Sequence, residues 1–350
     1  MAHGNGHDGS AKGGSATGGG GNGGGSKGGA AQGAAAPGVS EGWPGLDWPG
    51  LDWIGVDWGT SHLRAWAIDG EGRVLSRRDS AAGMGTLAPE GFEGALLDLI
   101  GDALPASARV PVLCCGMAGS RQGWAEAPYM AVPCAPPSAA QAARAPARDP
   151  RLDVRLLPGL KQARPPDVMR GEETQIAGAL AAEPRFDGVI CLPGTHTKWA
   201  QVSAGEVVSF RTFLTGELFA LLAGRSVLRH TVAAEGWDGA AFAEALAEGM
   251  AHPARLGADL FGLRAAALLE GLDPVVARAR LSGLLVGMEL AAARPYWLGQ
   301  DVAIVGRGGG ARAYAQALQA QGAAPRTLDA EAVTLAGLAA ARLGARAGAP

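Results

Sequence analysis

The sequence predicts an α/β protein made of two related halves, and three observations predict it. Short apolar strands alternate with amphipathic stretches, one strand-turn-strand pattern occurs twice, and a glycine cluster joins a late strand to a helix. A strand ending at such a turn, followed by a helix, places backbone amides where a ligand can approach.

The chain opens on a tail. Sixteen of its 56 glycines fall in the first 40 of 350 residues, in runs such as "ATGGGGNGGGSKGGAAQGAAA". Nothing bulky and apolar offsets ordering entropy there, so residues 1–50 are expected to be a disordered glycine-rich tail and linker. The five-residue stutter "WPGLDWPGLDW" belongs to this linker, because two units and a fragment are too few to stack as a solenoid. The tail resembles neither a secretory nor an organelle-targeting segment.

The working chain starts at about residue 51. "WIGVDW", "LRAWAID" and "RVLSRR" read as hairpin-connected strands separated by Gly-Thr and Asp-Gly-Glu-Gly turns, with the helix "EGFEGALLDLIGDAL" and the strand "VPVLCCG" after them. "VICLPGTHTKWAQVSAGEVVSFRT" lies under "IGVDWGTSHLRAWAIDGEGRVLSRR" so that Gly59-Thr60 falls on Gly194-Thr195. That echo divides the chain into domains at 51–185 and 186–350. The third glycine-rich site, "DVAIVGRGGGARAYAQALQAQG", reads as strand, turn and amphipathic helix over residues 301–322.

Charge and cysteine usage narrow the partners. A net charge of −3 with scattered basic residues gives no footprint for nucleic acid or an anionic membrane. No apolar run is long and uncharged enough to span a bilayer. Cys114, Cys115, Cys134 and Cys191 lack metal-type spacing and read as reduced thiols in a cytoplasm. His62 and His196 sit in the two Gly-Thr turns, but with no third ligand in reach of the pattern a zinc site is rejected. The expected partners are small molecules; a homodimer is compatible with the sequence, which does not fix oligomeric state.

Each loop has a candidate chemistry. Asp57, at the end of the first strand, could hold Mg²⁺ through water or serve as a turn former. Thr60, Ser61, Thr195 and Thr197 carry hydroxyls that donate to phosphate oxygens, beside Gly59, Gly194 and His196, and Lys198 could neutralise charge there. The glycine cluster at 306–310 also admits a dinucleotide reading, with Asp329 as its acid.

The set "IGVDWGTSHLRAW", "CGMAGSRQGW", "VMRGEETQIAGAL", "LPGTHTKW" and "FLTGELFALL", in that order, resembles the 2-dehydro-3-deoxygalactonokinase family from about residue 53 to the C-terminus. The resemblance implies two actin-like domains, ATP and Mg²⁺ in the cleft, and phosphorylation of the 6-hydroxyl of 2-dehydro-3-deoxy-D-galactonate. It also implies that Gly308 and Gly309 meet the adenosine. Phosphoryl transfer needs an orienting carboxylate near the attacking hydroxyl. Glu172 opens a helix where related carbohydrate kinases carry such an acid; Glu173 is its rival. For the sugar-acid carboxylate, Arg170 and Arg121 are the candidate forks, the latter in a loop with Gly119 and Ser120. "AAGMGTL" at 81–87 and Trp124 could shape the sugar pocket, although a core role is the simpler reading of Trp124.

Overall fold

Strand β1 (Leu51–Trp58) is buried on both faces, which explains its near-continuous apolar run. Ile54, Val56 and Trp58 pack on one side with Phe92 and Leu96, while Trp53 packs on the other with Trp66, Ile68 and Leu338. The computed structural model describes residues 50–347, with side chains through residue 344; the tail and linker expected over residues 1–50 lie outside the described residues, apart from Gly50.

The chain runs through β2 (Leu63–Asp69), β3 (Val74–Ser80), α1 (Phe92–Ile100), β4 (Val110–Gly116), β5 (Tyr129–Ala131), β6 (Ala143–Arg144), β7 (Leu152–Leu156), β8 (Gly159–Gln162), β9 (Asp167–Met169) and α2 (Glu172–Ala182). It continues through β10 (Gly188–Leu192), β11 (Thr197–Ser203), β12 (Glu206–Phe213), α3 (Thr215–Arg225), α4 (Gly239–Ala251), α5 (Leu256–Leu269), α6 (Pro274–Ala292) and α7 (Arg294–Trp297). It ends with β13 (Val302–Val305), α8 (Gly308–Ala320), β14 (Arg326–Leu328) and α9 (Ala330–Ala347).

The first sheet has the order β3-β2-β1-β4-β7-β6 and the second β12-β11-β10-β13-β14. In each, the opening strands pair antiparallel, and a parallel strand then joins the other side of the first: β4 beside β1, β13 beside β10. The two sheets therefore share order and strand sense over five positions. Each hairpin anticipated from the repeated pattern is present, as is the strand-to-helix turn between β13 and α8.

Other parts were not visible in the sequence pattern. A small sheet, β5-β8-β9, follows the first sheet, and the helices α3 to α7 fill the chain between β12 and β13. The final helix returns to the first sheet, where Leu338 is fully buried beside Trp53 and Trp66.

Two helices make the connection between the sheets. Ile176, Ala179 and Leu180 of α2 pack with Ile190, Leu192 and Ala303 of the second sheet, and α9 joins that core through Val333 before packing on the first sheet through Leu338 and Ala341. Between them, α2 and α9 cross with their backbones in contact. A Cβ at Gly178 would lie 1.8 Å from the Val333 carbonyl oxygen, and one at Gly337 would lie 1.8 Å from that of Thr174. Gln175 Nε2 donates to Thr334 Oγ1 (3.3 Å) beside the crossing.

Because both contacts are with backbone, neither neighbour can rotate away. Gly178→Ala and Gly337→Ala should each cost about 1–3 kcal/mol or more, read as a fall in melting temperature. Gly262→Ala, in exposed helix α5 with nothing within 4 Å of the new methyl, should be neutral or stabilise by up to about 1 kcal/mol. Equal effects at the two kinds of position would contradict the close crossing.

Candidate active site

Two glycine-dependent contacts bring the acidic residues together. Gly116, at the end of β4, has φ +87°, and a Cβ there would lie 2.5 Å from the Trp58 carbonyl oxygen at the end of β1. Gly171 takes a left-handed φ of +103°, which favours glycine, and packs closely on Gly116, where a Cβ would lie 3.3 Å from the Gly116 Cα. The chain can therefore pass directly over the strand ends, and α2 starts there with Glu172.

Asp57 occupies the adjacent end of β1. Its Oδ2 is 2.9 Å from Arg64 Nη1, and the Cys115 thiol lies 3.9 Å from Oδ1. Burial holds the Asp57 carboxyl above the usual carboxylate range, with the neighbouring Glu172 charge adding to the rise and Arg64 opposing it. Glu172 Oε2 accepts the Arg170 backbone N–H (3.0 Å), and Oε1 lies 3.3 Å from Lys198 Nζ. Lys198 comes from β11 of the second sheet, is almost completely buried, and also donates to the His196 carbonyl (3.3 Å). Thus one ion pair joins an acid beside the first sheet to a cation of the second.

Glu173 is differently placed from its neighbour. It is fully buried, accepts the Gly171 N–H (2.7 Å) and the Thr174 hydroxyl (3.2 Å), and burial with the adjacent Glu172 charge pushes its carboxyl up to about 8. Glu172 retains partial exposure, with 24% of its side chain open. Of the two, only Glu172 can meet a ligand without unpacking the helix start.

Both Gly-Thr hairpins are braced from behind. In the first, Gly59 N donates to His62 O (2.8 Å), and the 81–87 segment backs the turn: Met84 N donates to Gly59 O (3.0 Å) and Gly85 N to Thr60 O (2.9 Å). In the second, the start of α3 is the brace, with Glu217 N donating to Thr195 O (2.9 Å) and the Glu217 carboxylate 2.6 Å from His196 Nε2. Thr60, Ser61, Gly194, Thr195 and His196 remain exposed. Thr197 does not: it is buried and its hydroxyl shares a hydrogen bond with the Tyr314 hydroxyl (3.0 Å), because position 197 begins β11 and faces the helical layer.

Beside the second hairpin lies a cavity of about 860 Å³. Gly194 and Thr197 line it from the hairpin, Thr215 and Phe219 from α3, Arg278 and Ser282 from α6, and Gly309 from the start of α8. Gly308 adopts φ +71°, and no side chain caps the amides that open α8. Gly308 itself is not among the lining residues, whereas Gly309 and Gly310 are. Sequence reading missed Trp237, Arg278 and Ser282, since they lie in the helical block that the repeated pattern does not cover. The dinucleotide reading loses its acid: Asp329 pairs with Arg307, which holds its carboxyl below the usual range.

The two candidate arginines part company. Arg170 is buried, donates through Nη2 to Ala127 O (2.8 Å) and Nη1 to Leu157 O (3.4 Å), and stacks 4.3 Å from the Tyr129 ring centroid. Its amino groups serve backbone carbonyls, so it supports the loop holding Gly119. Gly119 is needed there, because a Cβ would lie 2.8 Å from Arg170 Nη1. Arg121 is 80% exposed, 3.8 Å from Glu126. Ser120 is buried, with no hydrogen-bond partner for its hydroxyl. Trp124 packs with Trp58 and Phe92 in the core, and the four cysteines are free thiols.

Paired hairpins, an acid-lysine contact between sheets and an adjoining cavity define a phosphotransferase of the sugar-kinase type. The chain belongs to the 2-keto-3-deoxy-galactonokinase family, whose sequence model matches residues 57–341. It is 44% identical over 289 residues to a provisionally assigned 2-dehydro-3-deoxygalactonokinase of Rhizobium meliloti (strain 1021), covering 81% of this chain and 94% of that one. It is 34% identical over 267 residues to the 2-dehydro-3-deoxygalactonokinase of Escherichia coli (strain K12), covering 75% and 88%. A crystal structure from Sinorhizobium meliloti with the same provisional assignment superposes with a TM-score of 0.78 at 43% identity, over 85% of this chain and 97% of that one.

The placement of Glu173 sets a pH dependence. Its folded-state value near 8 exceeds the ordinary 4.5, so the folded protein binds more protons than the unfolded chain between those values and loses stability as pH rises through that window. Glu173→Gln keeps an acceptor for the Gly171 N–H and removes the burial cost of charge. Its melting temperature should fall less than that of wild type between pH 5 and 8, as measured by thermal unfolding in matched buffers; parallel curves would contradict the assignment.

Proposed function

We propose that this chain transfers the γ-phosphoryl group of ATP to the 6-hydroxyl of 2-dehydro-3-deoxy-D-galactonate, giving the 6-phospho sugar acid, in cytoplasmic galactonate catabolism. The observation that carries this reading is the meeting of Asp57, Glu172 and Lys198 between the two Gly-Thr hairpins, in a chain of this kinase family. Residues 51–185 and 186–350 would be the two actin-like domains, with α9 returning to the first.

The residues present fit ATP. The cavity has the volume of a ligand pocket, and the uncapped amides at Gly309 and Gly310 suit an electron-rich partner. Gly59, Thr60 and Ser61 from one side, and Gly194, Thr195 and His196 from the other, would hold the phosphates. Mg²⁺ is commonly held by one or two carboxylates together with phosphates and water, and Asp57 fits that role: its buried carboxylate lies near a second acid and is compensated in part by Arg64 and the Cys115 thiol. ATP with Mg²⁺ would supply the transferable phosphoryl group and neutralise its charge.

Glu172 would accept the proton of the 6-hydroxyl and orient that oxygen. Lys198 holds the Glu172 carboxylate in place before the substrate arrives, and it stands where negative charge accumulates during transfer. Arg121 would bind the sugar-acid carboxylate, with the unpartnered Ser120 hydroxyl beside it as the second donor. Arg170 keeps that loop in shape.

A coupled assay of ADP release tests these roles. Glu172→Gln should lower kcat by about 10²–10⁴-fold while Mg-ATP binding persists. Arg121→Ala should raise the KM for the sugar acid by about tenfold or more, as loss of a charge-assisted hydrogen bond requires, with little change in the KM for ATP. Full turnover in Glu172→Gln would contradict the assignment of the base.

A further inference from the structure

Beneath the cavity lies a carboxylate that phosphoryl transfer does not use. Glu289 of α6 is fully buried, and no cation contacts it among the described residues. Three donors from three other elements converge on it. Trp199 Nε1 of β11 donates to Oε1 (2.7 Å), while the Tyr314 hydroxyl of α8 (2.6 Å) and the Thr215 hydroxyl of α3 donate to Oε2. Thr197 completes the chain through its hydrogen bond to the Tyr314 oxygen. Thr197, Thr215 and Tyr314 all line the cavity; Glu289 and Trp199 lie behind them.

The direction of the protons follows from this arrangement. An indole N–H can only donate, so Oε1 must accept. Two hydroxyls then share Oε2, and each spends its single proton on the carboxylate. Since Tyr314 has given its proton to Glu289, the Thr197 hydroxyl is the donor in the Thr197–Tyr314 bond. Burial pushes the Glu289 carboxyl up, and the hydrogen bonds from Thr215, Tyr314 and Trp199 pull against that rise. The hydroxyl protons of Thr197, Thr215 and Tyr314 are thus all spent within the network, and what these three residues offer the cavity is oxygen lone pairs.

We propose that Glu289 is a positioning residue that makes the floor of this cavity an acceptor surface, fitted to hydrogen-donating parts of the bound nucleotide and not to its phosphate oxygens. The inference rests on the ATP reading above. It also reverses the role that residue type alone gives Thr197, a donor to phosphate. Two sources of such donors exist in a metal nucleotide: the hydroxyl and amino groups of the nucleoside, and water held by the metal ion.

Glu289→Gln tests this with almost no change in volume. The amide oxygen must still accept from Trp199, so the amide nitrogen falls at the Oε2 position and donates to Thr215 and Tyr314. Their protons then turn, and the floor becomes a donor surface. Tyr314→Phe is the second variant; it leaves the ring in place and frees only the Thr197 proton.

The measurement is calorimetric titration of the full chain and both variants with Mg-ATP, adenosine, Mg-tripolyphosphate and metal-free tripolyphosphate, beside steady-state kinetics. Glu289→Gln should weaken Mg-ATP binding and raise its KM by about tenfold or more, the worth of one to two hydrogen bonds, with the sugar-acid KM unchanged; Tyr314→Phe should show a smaller change in the same direction. A parallel loss for adenosine would identify the nucleoside as donor, and one for Mg-tripolyphosphate would identify metal-bound water. Unchanged binding of all four ligands in a folded variant would overturn the inference, as would a loss shared by metal-free tripolyphosphate and Mg-tripolyphosphate but absent for adenosine. If Glu289→Gln does not fold, Tyr314→Phe decides by the same criteria. Wild-type protein that binds none of the four would overturn the ATP reading itself, and this inference with it.

Discussion

The contact on which the rest depends is the crossing of α2 and α9 at Gly178 and Gly337. Helices that meet through side chains sit about 8–10 Å apart; here each backbone occupies the space where the other would carry a Cβ. One helix packs on the second sheet, and the other spans from Val333 in that same core to Leu338 and Ala341 on the first, so this approach sets how near the two sheets come. The start of α2 then falls over the ends of β1 and β4, and Glu172 reaches Lys198 of the opposite sheet.

The same proximity creates an electrostatic problem that the protein handles differently at each carboxyl. Asp57, Glu172 and Glu173 are gathered within one end of the fold, where three charges of one sign would repel. Glu173 is sealed away and its carboxyl is pushed up to about 8, so near neutral pH much of it is uncharged. Glu172 is paired with Lys198, and Asp57 with Arg64. The buried acid thus serves the helix start structurally, while the partly open acid has a cation beside it and keeps its access.

Much of the frame is legible in the sequence because the signals are local. Alternating apolar runs with Gly-Thr turns give the hairpins, and the glycine cluster before "ARAYAQALQAQG" gives the strand-to-helix turn. Glu172 is legible from a glycine followed by an acid at a helix start. The role of Arg170 is not, because its commitment to the Ala127 and Leu157 carbonyls depends on a loop more than ten residues away. Thr197 illustrates another limit: its residue type offers a donor to phosphate, but its strand position turns it inward to Tyr314, 117 residues later. Glu289 carries no sequence signal at all, being one acid in a helix that also carries Arg278, Arg280 and Ser282, with its three partners coming from three other elements.

The most direct measurement of the central claim is a crystal structure of this chain with a non-hydrolysable ATP analogue, Mg²⁺ and 2-dehydro-3-deoxy-D-galactonate. The account predicts the triphosphate between the Gly59–Ser61 and Gly194–His196 turns and the 6-hydroxyl within hydrogen-bond reach of the Glu172 carboxylate, roughly 2.6–3.2 Å. A sugar acid bound away from Glu172, or a 6-hydroxyl approached by a different carboxylate, would contradict it.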